Sequence, residues 1–137
     1  MTDRPDRLVL DPDPRSVAAG RRWAARQATR AHASQEAALT VELLTSEVLT
    51  NAVVHTRAHR HIAVTAECHD DCVRVAVTDT DPTLPVVKPG NAHRIGGHGM
   101  RLVDTLASAW GIELHPGAGK TVWFETPVAA RGHLLTA

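Results

Sequence analysis

Residues 41–55, VELLTSEVLTNAVVH, carry the pattern that decides how the rest of the chain is interpreted. At about 100° per residue on a helix, the apolar side chains share one broad arc, formed by Leu43, Leu44, Val48, Ala52 and Val54. Glu47, Asn51 and His55 follow one another at steps of four residues and fall within that arc. The segment therefore predicts a long helix that turns three polar side chains toward the protein interior.

Polar groups on a buried helix face need partners, because burying a carboxylate without one is costly. A metal ion, a hydrogen-bonded network or a solvated cavity would each serve. Magnesium binds oxygen ligands and shares its other positions among waters and substrate phosphates, so Glu47 and Asn51 suit phosphate chemistry. On this helix alone, the alternative that both side chains bond only to nearby backbone stays open. A lone histidine at a helix end, such as His55, is more often structural than catalytic.

Helical and strand patterns flank this segment on both sides. Helices are predicted from Ser16, as the N-cap, to about Ala31, from Ser34 to Thr56, and from His98 to Ala109. Alternating apolar residues predict two hairpins, 61–67 with 72–79 and 111–114 with 121–125, and one short strand at 7–10. This mixture favours an α/β (α+β) two-layer sandwich, in which about three helices pack on one face of a mixed, mainly antiparallel sheet.

Length and composition fit one folded domain. The chain has 137 residues, of which 43 % are hydrophobic and only 3 % aromatic, so aliphatic side chains must build the core. Three prolines and alternating charge predict that residues 1–15 form an N-terminal arm. One folded domain is predicted at 16–126, and a flexible tail at 127–137.

Charge and cysteine content exclude several classes of protein. Fifteen basic and fifteen acidic residues give no net charge, whereas a nucleic-acid binder normally shows a basic excess. The apolar runs are shorter than the roughly 20 residues that span a bilayer, and no signal peptide is visible. Two cysteines, Cys68 and Cys72, cannot form a disulfide scaffold, so a cytoplasmic protein is expected. A reversible disulfide or a metal site at these cysteines is a minor alternative to two inert thiols.

The segment 80–97 is rich in proline and glycine and has no periodicity, which is typical of a functional loop or lid. Asp79, at the end of the preceding strand, can accept a hydrogen bond from an amino group such as that of adenine, although an aspartate there is also ordinary turn chemistry. At the other end, Gly96, Gly97 and Gly99 precede a predicted helix, where backbone N–H groups can meet phosphate. Glycines that only relieve strain in a turn are the alternative.

Four segments together resemble a known family. Residues 47–55 look like the N box of the GHKL (Bergerat-fold) ATPases, residues 77–81 like the first glycine box and residues 97–103 like the second. Residues 119–124, GKTVWF, look like the closing strand of the group. Their order and spacing resemble most closely the small stand-alone anti-sigma-factor serine/threonine kinases, over residues 16–126.

The resemblance implies a site for ATP and Mg²⁺. It implies that Asn51 holds the metal, that Glu47 is the general base and that Asp79 reads adenine. Gly97 and Gly99 would shape the lid around the phosphates, and Thr121 would lie under the adenine. His55 and Met100, as members of the same boxes, are included among the nucleotide-binding residues.

The resemblance also implies a function. The chain would be a serine/threonine protein kinase that acts as an anti-sigma factor, phosphorylating an anti-sigma antagonist and alternately sequestering a sigma factor; a homodimer is compatible with this role. One position departs from the pattern, because Asp81 stands where the first glycine box normally has glycine. A second negative charge near the base would weaken nucleotide binding, so a nucleotide-gated protein-binding module without phosphotransfer is the alternative.

Overall fold

The computed structural model describes residues 6–57, 60–81, 94–95 and 98–129. Its helices are α1 (Pro14–Arg30), α2 (Gln35–His55) and α3 (Arg101–Leu106). Its strands, in chain order, are β1 (Asp6–Leu10), β2 (Ile62–His69), β3 (Cys72–Asp79), β4 (Arg94–Ile95), β5 (His98–Gly99), β6 (Ala109–His115) and β7 (Gly119–Pro127).

Five of the strands form one antiparallel sheet in the order β1-β2-β3-β7-β6, and β4 pairs with β5 separately. The two predicted hairpins are therefore confirmed, and β7 joins them by pairing with β3 as well as with β6. The α+β sandwich predicted from the sequence is confirmed, although every pairing among the described strands is antiparallel rather than mixed. The helical layer is built around α1 and α2, which pack closely on one another and on the sheet.

The core lies between the sheet and the two long helices and consists mostly of aliphatic side chains, as the low aromatic content requires. Along β3, every second side chain is buried: Val73, Val75, Val77 and finally Asp79. Because successive side chains of a strand point to opposite faces, Asp79 points toward the helical layer like the three valines before it. The strand thus places the Asp79 carboxylate at the edge of an apolar core.

Helix α2 begins where the sequence predicts, since the Ser34 hydroxyl accepts a hydrogen bond from the N–H of Ala37 at 3.0 Å. The predicted apolar arc is wrong at two positions, because Leu43 is 44 % and Val54 57 % exposed. At about 100° per residue both lie roughly opposite the buried Ala52, so the arc was drawn too wide. By length and composition α2 could cross a bilayer, contrary to the sequence analysis, but core helices meet the same criterion.

The other two helices differ from prediction at their ends. Helix α1 begins at Pro14 with Asp13 as its N-cap, three residues before the predicted N-cap Ser16, and proline is well suited to this first position. Helix α3 begins at Arg101 and ends at Leu106, because His98 and Gly99 pair with β4 and because β6 already begins at Ala109. The predicted loop at 80–97 thus includes strand β4, and residues 82–93 lie outside the described ones.

The sheet uses residues on both sides of the predicted 16–126 domain. At one end, β1 pairs with β2 along its whole length. At the other, β7 continues to Pro127, and the backbone of Val128 bonds to Asp71 and to Ser34. These contacts tie the end of the sheet to the start of α2.

The β2–β3 hairpin turns at Asp70 and Asp71, which adopt φ angles of 51° and 62°, as a two-residue turn with positive φ at both positions requires.

Cys68 and Cys72 lie on either side of this turn and are free thiols. Burial raises the pKa of the Cys68 thiol, which disfavours the reactive thiolate. Among the described residues, no group of three or more His, Cys, Asp or Glu side chains is placed to hold a metal ion.

Candidate functional site

A small cavity lies where α2, the ends of β3 and β7, and the start of α3 meet. Its walls are mainly apolar: Val48 and Ala52 come from the helix, and Val77, Val122 and Ile112 come from the sheet. Val77 and Val122 are direct partners across strands β3 and β7, so they present adjacent methyl groups to the helix. Apolar walls with a few fixed polar groups are the usual construction of a small-molecule site.

The polar end of the cavity is an ion pair. Asp79, the last residue of β3, is 2 % exposed, and its Oδ2 accepts a hydrogen bond from Lys120 Nζ at 2.5 Å. The two residues are direct partners in the sheet register, which fixes their side chains on the same face. The other oxygen, Oδ1, accepts a hydrogen bond from the backbone N–H of Asp81 at 3.2 Å.

Asp81 is also buried, at 2 % exposed, and has its own cationic partner. Its Oδ2 accepts hydrogen bonds from the backbone N–H and the Nε of Arg57, both at 3.0 Å, and its Oδ1 accepts one from Nη2 at 3.2 Å. Arg57 follows the last turn of α2, so this pair joins the end of the helix to the end of β3. The second negative charge at the site is therefore compensated by a guanidinium.

On the helix side, Asn51, Met100 and His55 all line the cavity. The Asn51 amide nitrogen donates a hydrogen bond to the sulfur of Met100 at 3.3 Å. That orientation leaves the carbonyl oxygen of Asn51 as the atom that can bind a cation. Met100 is itself buried directly before α3, so it connects the helix that carries Asn51 to the segment that precedes α3.

Glu47 lies one helical turn before Asn51 and is half-buried. It is outside the set of side chains that line the cavity, and within the described part of the chain it has no hydrogen-bond or ion-pair partner. Glu47, Asn51 and His55 therefore form a row along α2 that begins beside the cavity and continues into its wall.

A family model for the histidine kinase-like ATPase domain matches residues 10–126, which is most of the chain. The protein belongs to this family. No curated protein sequence is similar enough to count as a match.

Several solved structures share the fold of this histidine kinase-like ATPase domain at low sequence identity. The structure of the RsbU and RsbW domains of Rv1364c from Mycobacterium tuberculosis has a TM-score of 0.64 at 20 % identity, with 90 % of this chain and 32 % of that chain covered. The blue-light activated histidine kinase of Erythrobacter litoralis EL346 gives 0.59 at 21 %, with 85 % and 43 % covered. The catalytic domain of the histidine kinase ThkA gives 0.56 at 15 %, with 92 % and 99 % covered. This chain thus spans about a third of the length of the Rv1364c structure and less than half of the length of the Erythrobacter litoralis kinase.

Most of the candidate site residues predicted from the sequence lie in or beside one cavity of this ATPase domain. Asn51, His55, Asp79 and Met100 line one cavity, and Glu47 lies beside it. Gly99 is part of β5 and pairs with Arg94, whereas Gly97 lies outside the described residues.

Thr121 lies outside the cavity. Its hydroxyl lies 2.7 Å from that of Thr78 and 2.9 Å from His115 Nε2, and it does not line the cavity. Strand alternation explains this, since Lys120 and Val122, the neighbours of Thr121 on β7, point to the helical layer. The residue that stands opposite Asp79 is Lys120, whereas Thr121 stands opposite Thr78.

The Arg57–Asp81 pair gives a testable consequence for stability. Asp81→Ala removes an acceptor that satisfies three N–H groups of Arg57, while the exposed guanidinium can return to water. We therefore expect a loss of roughly 1.5–3 kcal/mol in the free energy of unfolding, the range for hydrogen bonds to charged groups. Urea denaturation followed by circular dichroism measures it. Asp81→Asn, which keeps one acceptor oxygen, should lose less; equal losses for the two variants would contradict the assigned hydrogen bonds.

Proposed function

We propose that this histidine kinase-like ATPase domain binds ATP together with Mg²⁺ and acts as a serine/threonine protein kinase of the anti-sigma type. The observation that carries the proposal is the cavity itself, an apolar slot with the buried Asp79 carboxylate at one end and the Asn51 amide on the adjoining helix. It occurs in a chain whose family consists of ATPase-like domains.

The residues that line the cavity suit the adenine end of a nucleotide. Val48 and Ala52 offer apolar contacts from the helix, and Val77 and Val122 offer them from the sheet. Asp79 can accept a hydrogen bond from the exocyclic amine of that ring, because each carboxylate oxygen has two lone pairs. The flat faces of adenine suit the apolar walls, and its exocyclic amine suits the carboxylate.

The side-chain oxygens of Asn51 and Glu47 also suit magnesium. Mg²⁺ is commonly held by one or two protein oxygens, with waters and substrate phosphates completing its octahedral shell. The Asn51 carbonyl oxygen is such a ligand, and Glu47 lies one turn away. When bound, the metal would supply compensation for phosphate charge, which is the main electrostatic requirement of phosphoryl transfer.

Glu47 is the proposed general base. Within the described part of the chain its carboxylate is not engaged in a hydrogen bond or ion pair, so it can accept a proton from an incoming hydroxyl. In the proposed reaction the hydroxyl oxygen of a target serine or threonine bonds to the γ-phosphorus, the bond to the ADP oxygen breaks, and Glu47 takes the hydroxyl proton. The products are ADP and a phosphorylated protein.

The proposed target is an anti-sigma antagonist, and the second partner is a sigma factor sequestered when the antagonist is phosphorylated. The sequence resemblance to anti-sigma kinases supports this, and so does the fold shared with the structure that contains an RsbW domain. Such a switch would act in the cytoplasm.

A nucleotide-gated binding module is the second candidate. It is favoured by Glu47 standing beside the cavity rather than in its lining, and by Asp81 at the usual glycine position. In this version ATP sets the shape of a docking surface and no phosphate is transferred. Mixing the purified protein with labelled ATP and a candidate antagonist separates the two, since only the kinase labels a serine or threonine of the antagonist.

ATP binding is tested first by stability. A ligand at 100 times its Kd stabilises a one-site protein by about 2.7 kcal/mol. We expect ATP with Mg²⁺ to raise the Tm and to give a saturable heat in isothermal titration. Asn51→Ala should remove the part of the affinity that depends on Mg²⁺ while the affinity in EDTA stays near that of the parent. No heat and no shift in Tm at millimolar ATP would refute the proposal.

A further inference from the structure

Lys120 is a buried cation with unused hydrogen-bonding capacity. Its side chain is only 10 % exposed, and it lines the same cavity as Asp79. An ammonium group has three N–H donors, whereas Asp79 Oδ2 is the one acceptor that Lys120 meets among the described residues. Since buried donors are nearly always satisfied, the remaining two indicate an acceptor that a ligand or water supplies.

The pair also presents a specific pattern to that ligand. Asp79 and Lys120 stand side by side on neighbouring strands, so the end of the cavity offers one acceptor next to one donor. The edge of adenine is complementary, because its exocyclic N6 amine is a donor and the adjacent ring nitrogen N1 is an acceptor. Guanine carries an acceptor and then a donor at the same two positions, so it could meet the pair only if it turned over, which would redirect its ribose.

We infer that Lys120 is a specificity-determining residue of this site, which donates a hydrogen bond to N1 of adenine while Asp79 accepts one from N6. This inference rests on the proposed binding of ATP and adds to it a second contact to the base. Recognition then uses two charge-assisted hydrogen bonds in a buried place, where such bonds are strong.

Two other roles for Lys120 are physically distinct. In the first, Lys120 only neutralises the buried Asp79 carboxylate and touches no ligand. In the second, its ammonium occupies the place that adenine would take, and the nucleotide must displace it. A ligand that lacks N1 distinguishes direct contact from both of these roles, because only direct contact makes the affinity depend on that atom.

The experiment compares ADP with 1-deaza-ADP, in which N1 is replaced by C–H, by isothermal titration with the parent protein. We expect 1-deaza-ADP to bind about tenfold to a hundredfold more weakly, the range for losing a hydrogen bond to a charged group. GDP should also bind weakly. Equal affinities for ADP and 1-deaza-ADP would overturn the inference while leaving ATP binding intact. If the parent does not bind ADP at all, the proposed function fails and the inference fails with it.

Variants of Lys120 supply the second comparison. Lys120→Met should bind ADP more weakly than the parent and should no longer distinguish ADP from 1-deaza-ADP. Lys120→Gln keeps an N–H donor of similar reach and should retain part of the discrimination. Tighter binding of ADP by Lys120→Met would mean that the ammonium obstructs the cavity, and it would overturn the inference. The parent comparison decides the question even if loss of the ion pair leaves Lys120→Met unfolded.

Discussion

Glu47→Gln is expected to bind ATP as the parent does and to transfer phosphate roughly 10²–10⁴ times more slowly, the usual loss when a general base is removed. The substitution keeps the shape of the side chain and removes only its proton-accepting charge. Glu47 does not line the cavity, so holding the nucleotide should depend little on it. Single-turnover transfer from labelled ATP to a serine of an antagonist protein gives the rate, and titration gives the affinity.

Glu42→Gln is the matched control, because it makes the same change on the same helix. Glu42 borders a surface groove against α1 and does not line the cavity that contains Asn51 and Asp79, so this variant should transfer phosphate at the parent rate. If Glu47→Gln is as fast as the parent, the base is another group. If the parent binds ATP and transfers nothing, the binding module becomes the better account of the protein.

The parts of the fold that the sequence predicted well have strong local signals. Ser34, as an N-cap, predicts the start of helix α2. Alternating apolar residues around short turns predict the two hairpins. The start of α3 could not be predicted in the same way. Whether His98 and Gly99 begin the helix or pair as a strand depends on Arg94 and Ile95, which form the other strand of the pair.

The residues that line the cavity were easiest to predict where they share one helix. Asn51 and His55 are linked by the helical period, so finding one indicates the other. Arg57 was missed because its partner Asp81 lies 24 residues away, and pairing of that kind leaves no periodic signal.

Lys120 was missed for a different reason, since a signal did exist. It lies two and four residues before Val122 and Phe124, which are typical inward-facing strand residues, so alternation alone places Lys120 on the inner face. Thr121 was preferred because it fitted the family pattern. The strand geometry is the better guide, as it depends on this chain's own residues.

Gly119→Ala is expected to be the most disruptive single substitution near the site. Gly119 begins β7 with a φ of 108°, a conformation that residues with a side chain rarely adopt. A methyl group there would overlap the backbone oxygen of Asp79 and would lie 2.9 Å from its carbonyl carbon. Backbone strain and overpacking each cost about 1–3 kcal/mol, so we expect a loss of roughly 2–6 kcal/mol in the free energy of unfolding.

Gly117→Ala separates the two contributions. Gly117 belongs to the same β6–β7 turn and also has a positive φ, 78°, but a methyl group there would meet nothing within 4 Å. Its free energy of unfolding should therefore fall only by the conformational cost of about 1–2 kcal/mol. Urea denaturation of both variants measures the difference, and equal losses would show that contact with Asp79 is unimportant.

Where Gly119→Ala still folds, β7 must move away from β3 at the point where Lys120 meets Asp79. We therefore expect the affinity for ATP to fall in Gly119→Ala and to stay at the parent value in Gly117→Ala, because only the first substitution separates the two charges that define the end of the cavity.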